Sequence, residues 1–396
     1  MPFSFKAPFF FCLIQLVFAL SLAPYPKELP SYLGWKSLYS QLNNWDSFHY
    51  LDIAQNGYRF HGKLEEVKSE DVHSGRANVA YFPAYPLISR FVAKGVNVRY
   101  QTSLLVVAQV FCLIFWVYFY LILNKNKWTN QQKVLCGVCA ALFPASFFLV
   151  TGYSESLFLA SILGFIYHSS ELFLKSNQSA LQRYKHFFMA SGWGFLMTGT
   201  RFVGIPLTIF PFFLSLQVKR ESYLSVFIFL FSMMGAMSFF VYSAIQFGHW
   251  DLYLKLQEKG WQNHPDYFAI LKPLSYLPRF FFEDTMRSIS RASIPFCVGF
   301  GVWCVNQNKK NHSLDLEKYG YFWIAFIMFY ISLSGKANAE MDSMIRYAFP
   351  VYIILLLSLN HFPEWRLSRR TVFLLSFFFI LQAWMAYLFL RGHWVA

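Results

Sequence analysis

Long apolar stretches separated by short polar connections run along the whole chain. Most of them extend for about 15 to 25 residues, the length at which a helix crosses a hydrocarbon layer. Hydropathy predicts about eleven spans, at 7–23, 102–123, 134–150, 153–174, 186–199, 203–217, 222–247, 291–306, 319–334, 346–360 and 371–390. The pattern therefore predicts an all-α polytopic membrane protein.

The fifth and sixth predicted spans are short, and they meet at Gly199, Thr200 and Arg201. This interruption predicts a broken or re-entrant helix pair. The irregular backbone at such a break must line a cavity, because lipid cannot satisfy its hydrogen bonds.

Composition and charge refine this picture. Hydrophobic residues make up 56% of the chain and charged residues 14%, which excludes a soluble globular protein. The net charge of +14 comes mainly from Lys and Arg in short connections. If the N-terminus is cytoplasmic, these connections face the cytoplasm, as the positive-inside rule requires. Orientation and anionic lipids then explain the basic charge without nucleic acid.

The same orientation places two long polar segments, 24–101 and 248–290, on the outer face. We call them the first and second outer loops, and we expect amphipathic helices in the first. The sequence contains no repeats and no separate soluble domain. Residues 1–396 are therefore expected to form one integral membrane domain with a cap built from these loops.

The cysteines lie in apolar segments and predict no disulfide framework. Cys136 and Cys139 form a CxxC pair without a neighbouring His, which favours helix packing over a metal or redox site. The first apolar run, 7–23, is followed by Pro24, a pattern that a cleaved signal peptide could also have. Retention as the first span fits the predicted topology better.

The stretch NNWDSFHYLDIAQNGY, at 43–58, carries the strongest candidate chemistry. Asp46, His49 and Asp52 are spaced by three, so they share one arc of a short helix. A carboxylate there could act as a general base, while aromatic neighbours limit water. The alternatives are a solvated amphipathic helix with an acidic first turn, or three ligands for a divalent metal.

Arg201 and Arg346 lie at predicted membrane boundaries, where an arginine is costly unless it is paired or functional. Guanidinium groups bind phosphate oxygens at two points, so two of them on the outer face suit a phosphate. The alternative is snorkelling, or pairing with an acid such as Glu155, Glu340 or Asp342.

Glu155 begins a predicted span, where it could orient a substrate hydroxyl or serve in a helix cap together with Ser154 or Thr151. Tyr81 and Tyr85 belong to YFPAYPLISR, which is typical of an interfacial elbow or of an aromatic belt.

The motifs together resemble the PIG-V type mannosyltransferases, which include glycosylphosphatidylinositol mannosyltransferase 2 and bacterial relatives. The resemblance covers nearly the whole chain through NWDSFHYLDIAQNGY, YFPAYPLISR, YSESLF, Arg201 with Gly204, FGHWDLYLKLQEKGW and MIRYAFPVYIILL. It implies a GT-C type glycosyltransferase with a polyprenyl (dolichyl-type) phosphate sugar as donor. It also implies an active site on the non-cytoplasmic face of a bacterial inner membrane or an endoplasmic reticulum membrane.

The resemblance also implies residue roles. Asp46 is the expected catalytic base, and Arg201 and Arg346 are expected at the donor phosphate with Tyr347 beside them. The expected substrate-binding residues are Trp45, His49, Tyr50, Asp52, Tyr81, Tyr85 and Glu155. No metal ligand is assigned, and a divalent metal cofactor stays open.

Three positions depart from the family pattern. Asn44 stands where the family often has a basic residue, and Val203 and Ile345 replace the typical Asn and Pro of the arginine motifs. The donor contacts and the acceptor, a glycolipid or another hydroxyl compound, therefore stay open. Two alternatives from other classes are a lipid-linked sugar flippase or transporter, and a membrane acyltransferase that uses His49 with Asp46 or Asp52.

Overall fold

The computed structural model describes most of the chain, and its regular structure there is helical throughout. The described residues are 5–23, 38–61, 63–125, 128–175, 177–218, 222–261, 263–273, 285–310, 315–336, 343–359 and 369–395. Glu340 and Asp342, two of the predicted partners of the arginines, lie outside these ranges. So do residues 24–37 of the first outer loop and 274–284 of the second.

Most helices follow the predicted spans, but the third span, 134–150, is α-helical only to Ala141, and the sixth, 203–217, only from Phe210. The helices are α1 (Lys6–Leu22), α2 (Asp46–Asn56), α3 (Ser69–His73), α4 (Ala84–Val96), α5 (Tyr100–Lys125), α6 (Asn130–Ala141), α7 (Glu155–Leu174), α8 (Ala180–Thr200), α9 (Phe210–Val218), α10 (Ser222–Phe247), α11 (Leu252–Trp261), α12 (Thr285–Lys310), α13 (Leu316–Lys336), α14 (Met344–Ser358) and α15 (Arg369–Leu390). Short 3-10 segments lie at Leu64–Glu66, Ser146–Val150, Phe202–Gly204, Pro206–Ile209 and Ala269–Leu271.

Among the described residues, five helices are long and apolar enough to cross a membrane: α5, α7, α10, α12 and the segment Val372–Leu390 of α15. Shorter apolar helices occupy Lys6–Leu22, Phe202–Val218 and Met344–Ser358. The prediction of an all-α polytopic membrane protein is confirmed.

The chain breaks after α8, as the sequence predicted. Arg201 follows the helix in an extended conformation, with φ −152° and ψ 143°, and two 3-10 turns separate it from α9. Helix α8 is longer than the predicted fifth span, because it begins at Ala180 and has 21 residues. A capping box between Ser179 and Gln182 starts this helix on polar residues that the hydropathy window left out.

The centre of the bundle is formed by helices that are apolar on every side, α7 and α14. Nearly all of their side chains are buried, in contact with the aromatic residues of α5. A helix that is hydrophobic all round is stable only when other helices surround it. The first turns of α7 and α14 are therefore also enclosed by protein, and polar side chains there have little access to solvent.

The first and second outer loops pack on each other above α10. Val72, Val79 and Phe82 of the first loop share a hydrophobic cluster with Leu252 and Leu256 of α11. A polar contact joins the same loops, because the side-chain amide of Gln257 donates to the carbonyl oxygen of Ala80 at 2.7 Å. The two loops thus form one cap, and α2 contacts it through His49, whose ring meets those of Tyr81 and Trp261.

Helices α8 and α10 cross at small residues. A Cβ atom on Gly235 would collide with the backbone of Phe195 and Gly199 and with the side chain of Thr198. At the same crossing, the Thr198 hydroxyl donates to the carbonyl oxygen of Ser232 at 2.5 Å. Small residues allow this close approach of two membrane helices, and they fix the position of the α8 terminus that carries Arg201.

We therefore expect Gly235→Ala to destabilise the protein by about 1 to 3 kcal/mol, because overpacking outweighs the gain in helix propensity. The matched control is Gly299→Ala in α12, where an added Cβ would meet nothing within 4 Å. Thermal unfolding in detergent measures both variants. Equal melting temperatures for the two would contradict the tight crossing.

Candidate active site

Four charged side chains from four helices meet at one end of the bundle. Asp46 and Glu155 are the first residues of α2 and α7, Arg201 follows α8, and Arg346 lies in the first turn of α14. Arg346 Nη1 donates to Asp46 Oδ2 at 2.8 Å, and its Nε lies 3.3 Å from Glu155 Oε1. Arg201 Nη2 donates to the same Glu155 oxygen at 2.5 Å. We call these residues the charge cluster.

The charge cluster is largely buried. Solvent reaches 1% of the Glu155 side chain, 7% of Arg346, and 15% each of Asp46 and Arg201. Two carboxylates and two guanidinium groups cancel each other's formal charge. An unpaired charge in such surroundings would be strongly destabilising, so the pairing is a condition for the fold as well as a feature of the site.

Aromatic rings enclose the two arginines. The guanidinium carbon of Arg346 lies 5.3 Å from the ring centre of Tyr153, 5.5 Å from Tyr347 and 5.8 Å from Phe148. Arg201 lies 5.5 Å from the ring centre of Phe158. Such cation–π contacts hold a guanidinium in place without neutralising it, so it can still bind an anion.

Asp46 is held through both its main chain and its carboxylate. Its backbone N–H donates to Tyr153 Oη at 3.4 Å, and Tyr81 Oη donates to its Oδ1 at 3.5 Å. Burial raises the pKa of Asp46, but the charge and hydrogen bond of Arg346, helped by His49 and Arg201, outweigh this effect and bring the pKa below its ordinary value. Asp46 is therefore ionised at neutral pH.

The hydroxyl group of Ser154 connects Arg201 to Tyr50 of α2. Arg201 Nε and Nη2 both donate to Ser154 Oγ at 3.2 Å, and Tyr50 Oη lies 2.9 Å from the same oxygen. The suggestion that Ser154 caps α7 was wrong, because its side chain makes no capping hydrogen bond. Sequence reasoning also did not single out Tyr153. Its position directly before Ser154 and Glu155 was the available signal.

Several of the predicted substrate-binding residues lie near Asp46. The ring of His49 stacks on Tyr81 at 4.9 Å, and Trp261 of the second outer loop contacts both rings at their edges. Burial lowers the pKa of His49 more than nearby Asp46 raises it, so His49 is neutral at pH 7. The described contacts include no hydrogen bond from His49 to Asp46 or Asp52, as the acyltransferase alternative would need.

Two of the predicted residues point elsewhere. The carboxylate of Asp52 receives hydrogen bonds from Arg59 at 2.5 and 2.6 Å and from Asn78 at 2.8 Å, so it does not join Asp46. Tyr85 is buried, and its hydroxyl donates to the carbonyl oxygen of Leu104 at 2.8 Å. In the described part of the chain, no group of three His, Cys, Asp or Glu residues could hold a metal ion.

Comparisons with known proteins give limited similarity. No protein-family model matches the chain. It is 29% identical to GPI mannosyltransferase 2 of Drosophila melanogaster over 136 residues, which are 31% of this chain and 26% of the fly protein.

In structure, the chain resembles the archaeal oligosaccharyltransferase AglB from Archaeoglobus fulgidus, solved with an inhibitory peptide and a dolichol-phosphate. The TM-score is 0.49 at 10% sequence identity, over 98% of this chain and 56% of AglB. The chain thus spans only part of the length of each of these two proteins.

Removal of the Glu155 charge should destabilise the protein strongly. In Glu155→Gln, Arg201 and Arg346 would share only the carboxylate of Asp46, and breaking a buried pair in this way costs about 3 to 5 kcal/mol. Thermal unfolding in detergent measures the change. The control is Glu258→Gln in α11, whose side chain is 51% exposed and pairs only with His264 among the contacts described. Similar melting temperatures for the two variants would contradict a structural role for Glu155.

Proposed function

We propose that the protein is a GT-C type membrane glycosyltransferase. It moves a sugar, with mannose as the first candidate, from a polyprenyl (dolichyl-type) phosphate donor to a hydroxyl acceptor. The observation that carries the proposal is the buried contact between an ionised carboxylate, Asp46, and the guanidinium group of Arg346, with Arg201 close by. The similarity to GPI mannosyltransferase 2 over 136 residues supports the mannosyl class.

The proposed reaction is a single displacement. The acceptor hydroxyl oxygen attacks the anomeric carbon of the sugar, and the bond from that carbon to the donor phosphate oxygen breaks. The bonding electron pair leaves with the phosphate, the hydroxyl proton passes to Asp46, and the anomeric configuration inverts. Because a lipid phosphate leaves readily, the protein mainly has to stabilise its growing negative charge and to accept the proton.

The two arginines would supply the charge for the phosphate. Guanidinium groups present paired N–H donors that match phosphate oxygens, and both groups are held by aromatic contacts that leave the charge in place. Arg346 currently donates to Asp46. A phosphate that shares Arg346 would weaken this contact, and burial would then raise the pKa of Asp46 and make it a stronger base.

The proposal also includes a compartment and a class of acceptor. The positive-inside pattern supports a position of the charge cluster on the periplasmic or lumenal side of a bacterial inner membrane or an endoplasmic reticulum membrane. His49, Tyr81 and Trp261 form an aromatic wall beside Asp46, which suits the face of an acceptor sugar. A glycolipid acceptor would meet this wall from the membrane surface.

Asp46→Asn tests the base. We expect sugar transfer to fall by about 10²- to 10⁴-fold, because the amide cannot accept the hydroxyl proton. The assay measures the transfer of labelled mannose from polyprenyl phosphate mannose to a glycolipid acceptor by detergent-solubilised protein. Asp251→Asn is the control, since Asp251 pairs with Lys255 away from the charge cluster. Equal transfer by Asp46→Asn and the parent would remove the base assignment. Movement of the labelled lipid across liposomes without a new glycosidic bond would favour the transporter alternative.

Arg346→Gln tests the donor contact and the electrostatics of Asp46 together. The donor KM should rise by about 10-fold or more, as expected when a charged hydrogen bond is lost. In the parent, Arg346 keeps the pKa of Asp46 below the ordinary value of 3.8. The profile of kcat/KM should therefore show no acidic limb from Asp46 above about pH 5. In the variant, burial acts without Arg346, so the limb should move to higher pH. If both the donor KM and the acidic limb of the kcat/KM profile stayed unchanged, Arg346 would have a purely structural role.

A further inference from the structure

We propose that residues 392–395, which follow α15, are a positioning element for Asp46. They hold Trp45 in the unusual conformation from which α2 begins, and so they aim the carboxylate at Arg346. This inference rests on the proposed function of Asp46, and it adds residues from the far end of the sequence to the machinery of that site.

A glycine turn folds this segment back over the site. Helix α15 ends at Leu390, and Gly392 has a φ of +81°. The N–H of Gly392 donates to the carbonyl oxygen of Phe389 at 2.9 Å, and that of His393 donates to Leu388 at 3.0 Å. This pair of bonds is the Schellman pattern, which glycine favours because it adopts positive φ without a Cβ clash.

The segment and the last turn of α15 then contact the two residues that precede Asp46. Trp45 Nε1 donates to the carbonyl oxygen of His393 at 3.2 Å, and the Trp45 and Trp394 rings meet edge to face at 5.3 Å. The side-chain amide of Asn44 donates to the carbonyl oxygen of Phe389 at 2.8 Å. Both residues before the carboxylate are thus fixed from the end of α15.

Trp45 needs such support because its backbone is in a conformation that residues with a side chain rarely adopt. Its φ is 52° and its ψ is −113°. Such a conformation persists only where the surrounding structure fixes it. Without the contacts to residues 392–395, Trp45 would return to negative φ. The next peptide group would rotate, and the carboxylate of Asp46 would move away from Arg346.

The end of α15 also supports the arginine side of the pair. Phe389 lies 5.4 Å from the ring of Phe148 and 5.7 Å from that of Tyr153, and these two rings flank Arg346. The same helix end therefore contacts the surroundings of both members of the ion pair.

Trp394→Ala is the test, with Trp384→Ala of α15 as the matched control, because both tryptophans are 37% exposed. We expect kcat for sugar transfer to fall by about 10-fold or more in Trp394→Ala, as misplaced catalytic groups do. The donor KM should stay near the parental value, and Trp394→Phe, which keeps an aromatic ring, should restore most of kcat. Equal kcat in Trp394→Ala and Trp384→Ala would overturn the inference.

A second measurement does not depend on activity. Hydrogen exchange at the amides of residues 46–48 should be faster in Trp394→Ala than in Trp384→Ala, and unchanged exchange would also overturn the inference. If Trp394→Ala does not accumulate as folded protein, Gly392→Ala provides the same two measurements, because it strains the turn and keeps every contacting side chain. If the parent transfers no sugar, the proposed function fails while the exchange result still decides the positioning role.

Discussion

One oxygen atom of Glu155 contacts both arginines of the site, and the end of the bundle that carries the charge cluster depends on this shared contact. Two guanidinium groups this close in an apolar core would repel each other without a carboxylate between them. Glu155 is fixed at the start of α7, which the bundle surrounds. The C-terminal end of α8 and the N-terminal end of α14 must therefore meet the start of α7. The break at Arg201 follows from that requirement.

The same electrostatics link stability to the proposed chemistry. The charge cluster is neutral as it stands, so it is stable without a ligand. A donor phosphate would bring negative charge to a site whose cations are already paired, and it would have to compete with Asp46 and Glu155 for them. The side chain of Asp46 is 15% exposed, so a phosphate can compete with it for Arg346 more easily. The side chain of Glu155 is only 1% exposed and is fixed by its surroundings. We therefore expect Asp46 to release its arginine first.

Hydropathy alone predicted the helices well, because burial in lipid or in a bundle requires long apolar runs. It missed the polar start of α8, where capping rather than hydrophobicity decides the boundary. Periodicity grouped Asp46 with Asp52 on one helix face, but Arg59 and Asn78 bind Asp52. A helical repeat shows which side chains share a face. It does not show which partners the tertiary fold brings to them, and Arg346 reaches Asp46 from 300 residues away.

The division of the charge cluster between two parts of the molecule bears on acceptor choice. Glu155 and Arg346 lie on bundle helices and Arg201 follows a third, whereas Asp46 lies on α2, in the first outer loop. A donor phosphate needs fixed cations, and an acceptor hydroxyl needs a base placed according to the shape of the acceptor. Because the first outer loop carries Asp46, His49 and Tyr81, and the second carries Trp261, we infer that the loops select the acceptor of the proposed reaction.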